Sequence, residues 1–334
     1  MRHIALVLFL ILIPASVVVN AEPAPNAGEK LEVTSHPSDI AATAAATSYP
    51  HKITLVLGGG GCRALAQIGV LRVFAKNHIP INYIVGTSAG AIIGALYAAG
   101  VPLENMEQMA FDSSFQRTIE PHIALHIICL PFAQLIYLFR PKPYAGLISS
   151  TRLEKFLHKH LPDDLSKLNI PFAAVSTDLE SGNICMITSG NLCKAVAASS
   201  AVPLLVRPIN IGDTLFIDGG LKANLPTHCA QLTAADIIIA VPADAPVRNE
   251  KKKKFRSMKA LAVRVMDIME AEIDKHRWEE ADLVIYPEIA DTPLFTKDPE
   301  IIKRLIAAGE EAATAALPRL KVRLNSKALH KSSP

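Results

Sequence analysis

Two glycine-rich loops about 25 residues apart constrain this chain of 334 residues more than any other feature. Residues 58–63 read Gly-Gly-Gly-Gly-Cys-Arg, residues 86–90 read Gly-Thr-Ser-Ala-Gly, and each loop follows a short apolar run. In a G-x-S-x-G elbow the chain turns sharply from a strand into a helix, which leaves the serine side chain exposed. The second loop therefore predicts a nucleophile at Ser88, with Gly86 and Gly90 relieving the crowding on both sides.

The first loop predicts an oxyanion hole, the site that stabilises the negative charge formed when Ser88 attacks. Four consecutive glycines allow several backbone N–H groups to converge without side chains between them. The N-terminus of the helix that follows adds positive partial charge. Removal of one such donor typically costs about 3 kcal/mol of transition-state stabilisation.

A serine hydroxyl becomes a good nucleophile only when a neighbouring group accepts its proton. Asp218 ends an apolar run and precedes Gly219 and Gly220, so we expect it at a strand end on the same edge of the sheet as the elbow. His228 is the alternative, because Ser88, Asp218 and His228 stand in the chain order of α/β-hydrolase triads. A histidine in the first turn of a helix is an unusual triad member. Asp218 alone, with an ordinary pKa near ~4, would be a weak base, and the oxyanion hole would carry more of the catalysis.

Apolar runs and helical spacing alternate along the chain, which predicts an α/β fold. Helical patterns cover residues 62–75, 88–99 and 301–316, and Pro318 is expected to end the last helix. Strands that alternate with helices favour a largely parallel sheet covered on both faces, with function at the carboxyl ends of the strands. Strands are expected at residues 53–57, 83–85, 172–176, 184–188, 215–217, 237–241 and 283–286.

Three of these motifs together resemble those of the patatin-like phospholipases, which are lipid acyl hydrolases with a Ser-Asp dyad. The motifs are residues 58–63, 86–90 and 218–220, in that order. The resemblance spans about residues 52–317. Supporting matches occur at residues 176–182, 198–203 and 224–226.

The resemblance implies a three-layer α/β/α sandwich and a serine lipid acyl hydrolase that acts through an acyl-enzyme. It assigns Ser88 as the nucleophile, Asp218 as the base, and the backbone of Gly59, Gly60 and Gly61 as the oxyanion hole. The implied substrate is a lipid or phospholipid ester, cleaved by a phospholipase A, lysophospholipase or carboxylester hydrolase activity. No cofactor and no catalytic metal are implied.

Two other functions stay open at this point. The glycine spacing also fits a dinucleotide-binding oxidoreductase. Such a site requires an acidic residue about 20 residues further on to bind the ribose, and none occurs between Gly61 and Glu104. A lipid-binding protein that has the fold without the reaction is the second. It stays open because Cys62, Ala64 and Ala197 replace residues that the family commonly carries.

Arg63, directly after the first loop, has two interpretations. It can fix the loop through hydrogen bonds to the backbone, or it can hold a substrate phosphate with two parallel hydrogen bonds. The sequence leaves this choice open.

The N-terminal sequence predicts export. Residues 4–19 are apolar and end at a small-x-small site, so residues 1–21 are expected to be a signal peptide, with an uncleaved anchor as the alternative. The destination would be the periplasm, the outer membrane or the medium of a bacterial cell. Residues 22–51 have the Ala/Pro/Ser/Thr-rich composition of a linker, residues 52–317 form the catalytic domain, and residues 318–334 form a frayed basic tail.

Residues 119–149 are interpreted as an apolar cap within that domain. The part from 121 to 139 carries no charge, but it is too short and interrupted for a confident membrane span. It either buries itself over the sheet or forms an interfacial surface that meets lipid. His122, His126 and Cys129 have a helical spacing that could collect zinc, although incidental core residues are the favoured interpretation.

The charge of the chain limits the binding partners to be expected, and its cysteines offer one candidate disulfide bond. A net charge of +3 without a basic stripe gives no reason to expect nucleic acid. Residues 251–254 and Arg256 form a basic cluster that is either a solvated loop or a peripheral contact with anionic lipid headgroups. Cys185 and Cys193 are the plausible disulfide pair among five cysteines. No obligate protein partner is inferred.

Overall fold

The centre of the fold is a sheet of nine strands, in a computed structural model that describes residues 31–33, 51–112, 146, 148–244, 246–290 and 292–326. The strands are β1 (Leu31–Val33), β2 (Ile53–Leu57), β3 (Tyr83–Thr87), β4 (Phe172–Asp178), β5 (Ile184–Ile187), β6 (Ile209–Ile211), β7 (Thr214–Asp218), β8 (Ile237–Val241) and β9 (Leu283–Val284). They lie in the order β1-β5-β4-β3-β2-β8-β9, with β7 beside β4 and β6 beside β7.

Most strand pairs in this sheet are parallel. The parallel pairs are β1–β5, β2–β3, β2–β8, β3–β4 and β8–β9, whereas β4–β5, β4–β7 and β6–β7 are antiparallel. The expectation of a largely parallel sheet is confirmed, and all seven expected strands are present. The sequence pattern does not reveal β1 and β6, because three residues are too few to establish an alternation.

Helices cover both faces of the sheet, as expected for a three-layer α/β/α fold. They are α1 (Ala66–Lys76), α2 (Ala89–Ala98), α3 (Leu103–Phe111), α4 (Thr151–Leu157), α5 (Leu192–Ser199), α6 (Gly220–Ala223), α7 (Thr227–Ala230), α8 (Met258–Asp274) and α9 (Pro299–Asn325). Successive residues of β2 point to opposite faces. Leu55 and Leu57 belong to the larger core with α1, α2 and α9, and Val56 belongs to a second core with α6 and α7.

The last helix is longer than the sequence indicates, so the prediction that it ends before Pro318 is wrong. It continues to Asn325, and both Leu320 and Leu324 are fully buried beyond the proline. A proline inside a helix costs about 3 kcal/mol, whereas each buried leucine contributes roughly 1.5–3 kcal/mol. Tertiary packing therefore outweighs the local helix-breaking signal, and the predicted tail begins as helix.

Two further expectations meet the structure only in part. The predicted linker, residues 22–51, contains β1, which adds to the sheet through parallel pairing with β5. Within the predicted cap, Ile148 forms an isolated parallel bridge with Val206. The predicted signal peptide, residues 119–145 and 147 of the cap and the candidate zinc ligands within it lie outside the described residues.

The crossing of α1 and α9 depends on two glycines. A Cβ atom on Gly309 would lie 1.8 Å from the backbone oxygen of Ala66, and one on Gly69 would lie 2.0 Å from that of Ile306. Both distances are far inside van der Waals contact with rigid backbone. Only residues without a side chain allow the two helices to approach this closely.

We expect Gly309→Ala to lower the free energy of unfolding by at least about 2 kcal/mol because of overpacking, despite the roughly 1 kcal/mol that alanine gains in helix propensity. Urea unfolding measures the change. Ala307→Gly, at an exposed position of the same helix, isolates the propensity effect. A Gly309→Ala protein as stable as the wild type would show that the helices are not in close contact here.

Candidate active site

Ser88 and Asp218 are brought together by two strands that meet end to end along one edge of β4. β3 runs parallel to β4, and its last residue, Thr87, pairs with Val175. β7 runs antiparallel to β4, and Asp218 pairs with the next residue, Ser176. Since β5 occupies the other edge of both β4 residues, the elbow and the carboxylate face each other. The aspartate lies at a strand end as expected, but it arrives on an antiparallel strand rather than a parallel one.

The backbone of Ser88 adopts an unusual conformation, with φ 53° and ψ −123°. A non-glycine residue in such a region stores on the order of 1–3 kcal/mol and persists only when its surroundings hold it. Here the Ser88 N–H donates to Ser199 Oγ at 2.9 Å, and Ser199 Oγ donates to the Val175 oxygen at 2.6 Å. Ser200 Oγ donates to the Ser88 oxygen at 3.2 Å. The strained serine is therefore fixed from α5, a contribution that the sequence motif alone does not show.

The two glycines of the elbow are required by close backbone approach. A Cβ atom on Gly90 would lie 2.3 Å from the Leu57 oxygen, and one on Gly86 would lie 2.7 Å from Ala91 Cα. The first contact brings α2 against the end of β2, and the second allows the sharp return of the chain. Both agree with the sequence expectation that these positions relieve crowding.

Ser88 and Asp218 are directly hydrogen-bonded. Ser88 Oγ donates to Asp218 Oδ2 at 2.8 Å, and the Gly220 N–H donates to Asp218 Oδ1 at 2.7 Å. Gly219 allows this end of β7 to lie against β4, because a Cβ there would be 2.3 Å from the Val175 oxygen. The geometry gives each carboxylate oxygen one donor.

Burial raises the pKa of Asp218 to about 6, although the hydrogen bonds from Gly220 and Ser88 act in the opposite direction. Asp218 is therefore ionised at neutral pH, but it is a stronger base than an exposed aspartate. Asp218 is thus a stronger base than the ordinary carboxylate expected from the sequence.

Gly59 does not offer its N–H to the site, contrary to the sequence expectation. The N–H donates to the Asn224 backbone oxygen at 3.1 Å, which joins the end of β2 to the Asn-Leu-Pro turn. The position still requires glycine, since a Cβ would lie 3.1 Å from Ser88 Cβ and 2.5 Å from Asn224 Oδ1. Gly59 therefore allows the loop to contact the serine, and the donors must come from its neighbours.

Gly60 and Gly61 are the remaining donors of the first loop. Within the described part of the chain, neither N–H donates to a protein acceptor. A Cβ on Gly60 would lie 2.1 Å from the Ala243 oxygen, and Gly61 has a left-handed φ of 56°. The Gly60 oxygen accepts from the Arg63 N–H at 3.1 Å. These contacts hold two available amides at the beginning of the short 3-10 turn that leads into α1.

Arg63 is buried, which favours its structural role over phosphate recognition. Its Nε donates to the Thr292 oxygen at 2.9 Å, and its Nη1 forms an ion pair with Asp267 at 2.7 Å. Only 5% of the side chain is exposed. Arg63 thus fastens the glycine loop to α8.

The inner face of α8 carries acids that the sequence analysis did not single out. Asp274 accepts hydrogen bonds from the Leu225 N–H at 2.9 Å and from Asn224 Nδ2 at 3.0 Å, and burial raises its pKa to about 7. Charged residues on a helix usually mark a solvated face, so no local signal identified these as buried. None of the acids, histidines and cysteines in the described ranges forms a group that could hold a metal ion.

Glu270 is the most perturbed of these acids. Burial, together with the negative charges of Asp218, Asp267 and Asp274, raises its pKa to about 8, and only Arg63 acts in the opposite direction. Its Oε2 atom is buried and accepts no hydrogen bond from the described residues. Glu270 is therefore mostly protonated at neutral pH and adds little negative charge beside Asp218.

The other sequence candidates do not join the site. His228 donates neither of the two hydrogen bonds that Asp218 accepts, and its Nε2 lies 3.4 Å from Cys229 Sγ. The direct contact between Ser88 and Asp218 leaves no imidazole between them, so the triad alternative is not supported. Cys185 and Cys193 are both buried and form no disulfide bond with each other, so the predicted bridge between them is wrong.

Comparison with known proteins places the same region in a known family. The family model for patatin-like phospholipases matches residues 55–230. Patatin-like phospholipase domain-containing protein 7 of Mus musculus is 30% identical over 59% of this chain and 14% of its own length. An uncharacterized NTE family protein of Mycobacterium bovis is 30% identical over 61% of this chain and 52% of its own length. The chain thus matches about half of one relative and a small part of the other.

Solved structures resemble the chain more distantly. VipD from Legionella pneumophila aligns with a TM-score of 0.47 and 14% identity, over 80% of this chain and 67% of that protein. Human GIVD cytosolic phospholipase A2 aligns with a TM-score of 0.44 and 13% identity, over 82% and 59%.

The buried state of Glu270 predicts a pH-dependent cost in stability. A carboxyl group whose pKa rises from 4.5 in the unfolded chain to about 8 in the folded one keeps its proton longer when folded, so stability falls as pH rises between these values. We expect Glu270→Gln to remove a loss on the order of a few kcal/mol. Its melting temperature relative to the wild type should increase steadily from pH 5 to pH 8 (about these limits).

Two comparisons isolate this effect. At low pH, the difference in melting temperature between Glu270→Gln and the wild type measures the cost of burying the amide. Only the change of that difference with pH measures the effect of ionisation of the carboxyl group. Glu272→Gln alters an exposed acid on the same helix and should show no such trend. A difference between Glu270→Gln and the wild type that is constant with pH would mean that Glu270 is not a buried acid.

Proposed function

Because this chain belongs to the patatin-like phospholipase family, we propose that it is a serine hydrolase that cleaves acyl esters of lipids through an acyl-enzyme on Ser88. The observation that carries the proposal is the 2.8 Å hydrogen bond from Ser88 Oγ to Asp218 Oδ2 at a strained elbow. A buried carboxylate facing a serine hydroxyl is the arrangement that proton removal needs. The family assignment also argues against the dinucleotide-binding alternative.

In the first step, Ser88 Oγ attacks the carbonyl carbon of the ester while its proton moves to Asp218 Oδ2. The resulting tetrahedral intermediate carries a negative charge on the former carbonyl oxygen. That intermediate collapses when the bond to the alcohol oxygen breaks, and the alcohol leaves with the proton held by Asp218. The acyl group remains bound to Ser88 as an ester.

The N–H groups of Gly60 and Gly61 are the proposed donors to the oxyanion. Donors that are positioned before the reaction stabilise developing charge without reorganisation, and each typically contributes about 3 kcal/mol. The contacts of the loop with Ala243 and Leu294 hold these amides rigidly, since a side chain on either glycine would collide with a backbone oxygen. This rigidity supports two donors rather than the three expected from the sequence.

In the second step, Asp218 removes a proton from water, which attacks the acyl-enzyme carbonyl. Collapse of the second intermediate returns the proton to Ser88 Oγ and releases a fatty acid. A single carboxylate can serve both steps because it is regenerated after each proton transfer. Its pKa of about 6 lies closer to neutrality than that of an exposed aspartate, which increases its basicity without loss of ionisation at neutral pH.

The proposed substrate class is a lipid carboxylic ester, either a phospholipid, a lysophospholipid or a neutral glyceride. The proposed cellular location, outside the cytoplasm, rests on the N-terminal apolar segment of residues 4–19. Arg63 gives no support for a phosphate contact, since its side chain is buried and donates to Asp267 and Thr292. The headgroup must therefore be recognised, if at all, by other residues.

Ser88→Ala should abolish turnover of esters and covalent labelling by a fluorophosphonate, because each needs the serine oxygen. Asp218→Asn should reduce kcat by about a thousandfold or more, since the amide cannot accept the proton. Turnover of a phospholipid panel and of a soluble short-chain ester measures both effects. His228→Ala is the matched control and should keep most of the activity.

A lipid-binding protein without catalysis would bind the same substrates and turn over none of them. Circular dichroism and melting temperature confirm that each variant is folded. Wild-type activity that survives in Ser88→Ala would overturn the assignment of the nucleophile, and activity lost in His228→Ala but kept in Asp218→Asn would overturn that of the base.

The pH dependence of kcat/KM should reflect ionisation of Asp218 in the free enzyme. Protonation removes the base, so the rate on a soluble ester should be level near neutral pH and should fall about tenfold per pH unit below about pH 6. Initial rates between pH 4.5 and pH 7.5 (roughly) on the intact protein measure the limb. A rate that stays level throughout this range would exclude a base with a pKa of about 6.

A further inference from the structure

Helix α8 differs from an ordinary surface helix, because acids lie on its inner face and apolar side chains lie on its outer face. The inner face carries acids, with Glu270 and Asp274 buried and Asp267 paired with Arg63. The outer face carries apolar side chains at the positions 261, 265, 268 and 269, which recur at helical spacing. In a soluble protein the apolar stripe of a helix normally faces the core.

The apolar side chains of this outer face are nearly half exposed. The exposed fractions are 44% for Leu261, 46% for Val265, 48% for Ile268 and 47% for Met269. Scattered exposed apolar residues are normal on protein surfaces, but a continuous stripe of four on one helix face marks an interaction surface. We call these four residues the α8 stripe.

A cluster of basic side chains lies immediately before the α8 stripe. Residues 251–256 read Lys-Lys-Lys-Lys-Phe-Arg, and the five basic side chains among them are exposed. Lys254 pairs with Glu250, whereas the other four make no ion pair with the described residues. An exposed apolar helix face beside an unneutralised positive cluster has the composition of a helix that lies in the interface of an anionic membrane.

The α8 stripe lies on a helix that packs beside the active-site residues. α8 packs against α6, which begins two residues after Asp218, and the inner-face acids hold Arg63 and Asn224. A surface bound through the outer face of α8 would therefore lie next to the carboxyl edge of the sheet, where Ser88 is found. No helix in the described ranges is long and apolar enough to cross a membrane.

We propose that the α8 stripe and the basic cluster of residues 251–256 dock the protein onto an anionic lipid bilayer, with the apolar side chains in the interface and the lysines on the headgroups. The inference extends the proposed function, since it names a surface that presents a lipid ester to Ser88. Charge complementarity selects this occupant, because the five basic side chains match anionic headgroups. Headgroups recognised here are bound at the surface and are separate from the ester in the site.

Vesicle binding tests the docking surface without catalysis. The full chain carrying Ser88→Ala should co-sediment with phosphatidylcholine vesicles that contain phosphatidylserine at least about tenfold more strongly than with phosphatidylcholine alone. Adding Ile268→Ser and Met269→Ser should weaken binding to both vesicles at least about tenfold. Adding Lys252→Glu and Lys253→Glu should instead remove the preference for phosphatidylserine.

Matched surface controls exclude a general effect of the substitutions. Val322→Ser and Arg319→Glu alter an exposed apolar and an exposed basic side chain on α9 and should leave vesicle binding unchanged. Every protein in the comparison has the same N-terminal segment, so a difference in binding reports on the substituted α8 stripe or basic cluster. Equal binding by the wild type, the α8 stripe variant and the basic cluster variant would overturn the proposal.

Catalysis distinguishes this surface from the active site itself. With Ser88 intact, Ile268→Ser/Met269→Ser should lose hydrolysis of vesicle phospholipid but keep turnover of a soluble short-chain ester within about twofold. Lower turnover of both substrates, or a lower melting temperature, would assign the stripe to internal packing and overturn the proposal. Dissociation of a dimer by the same substitutions, without any vesicle binding, would assign the stripe to contact with a second copy and would also overturn it. A wild type that binds vesicles yet hydrolyses no ester would instead contradict the proposed function and leave the docking surface supported.

Discussion

The site depends on how β4 shares one of its edges between two strands. β3 approaches from one direction and stops opposite Val175, and β7 approaches from the other and stops opposite Ser176. The residue after the end of β3 is Ser88, and the last residue of β7 is Asp218. Their side chains meet because two chain ends converge on neighbouring positions of the same strand, and the 2.8 Å hydrogen bond follows from this register. A shift of β7 by one residue would turn Asp218 to the other face of the sheet.

The electrostatic environment of this pair includes the buried acids of α8, the helix that packs on α6. α8 carries Asp267, Glu270 and Asp274, and the negative charge of Asp218 raises the pKa of Glu270 whereas the positive charge of Arg63 lowers it. Several carboxylates in a buried region cannot all ionise without large repulsion. The pKa values of about 8 for Glu270 and about 7 for Asp274 show which groups retain protons, so Asp218, at about 6, ionises first. Asp218 therefore carries the negative charge beside Ser88 at neutral pH, while Glu270 stays mostly protonated.

The sequence alone predicts those parts of the site that depend on short-range geometry. The elbow around Ser88 and the contacts of Gly86, Gly90 and Gly219 are encoded within a few residues, since only glycine fits where backbone approaches backbone. Most strands were predictable from their apolar runs. Features that depend on distant partners were not. The N–H of Gly59 is occupied by Asn224, 165 residues away, and no local pattern indicates this.

Two other features were predicted wrongly from the sequence because they too depend on packing against distant parts of the chain. Pro318 is a valid local signal for a helix end, yet the burial of Leu320 and Leu324 against the rest of the molecule overrides it. The acids of α8 resemble a solvated helix face in the sequence, because burial is decided by the element that packs on them. Helix amphipathicity indicates that α8 has two faces but not which of them turns inward.

The orientation of α8 follows from what its inner face must bind. Asp274 accepts hydrogen bonds from the Asn-Leu-Pro turn, whose Asn224 oxygen in turn holds Gly59, and Asp267 holds Arg63 at the other end of the glycine loop. Both ends of the loop are thus fastened to one helix by charged or charge-assisted contacts, which are stronger than neutral hydrogen bonds. With these acids on the inner face, Leu261, Val265, Ile268 and Met269 lie on the outside of the helix. A helix with this arrangement is stable in water only because its polar contacts and its neighbours hold it, and an apolar outer face acquires a partner as soon as the helix meets a lipid interface.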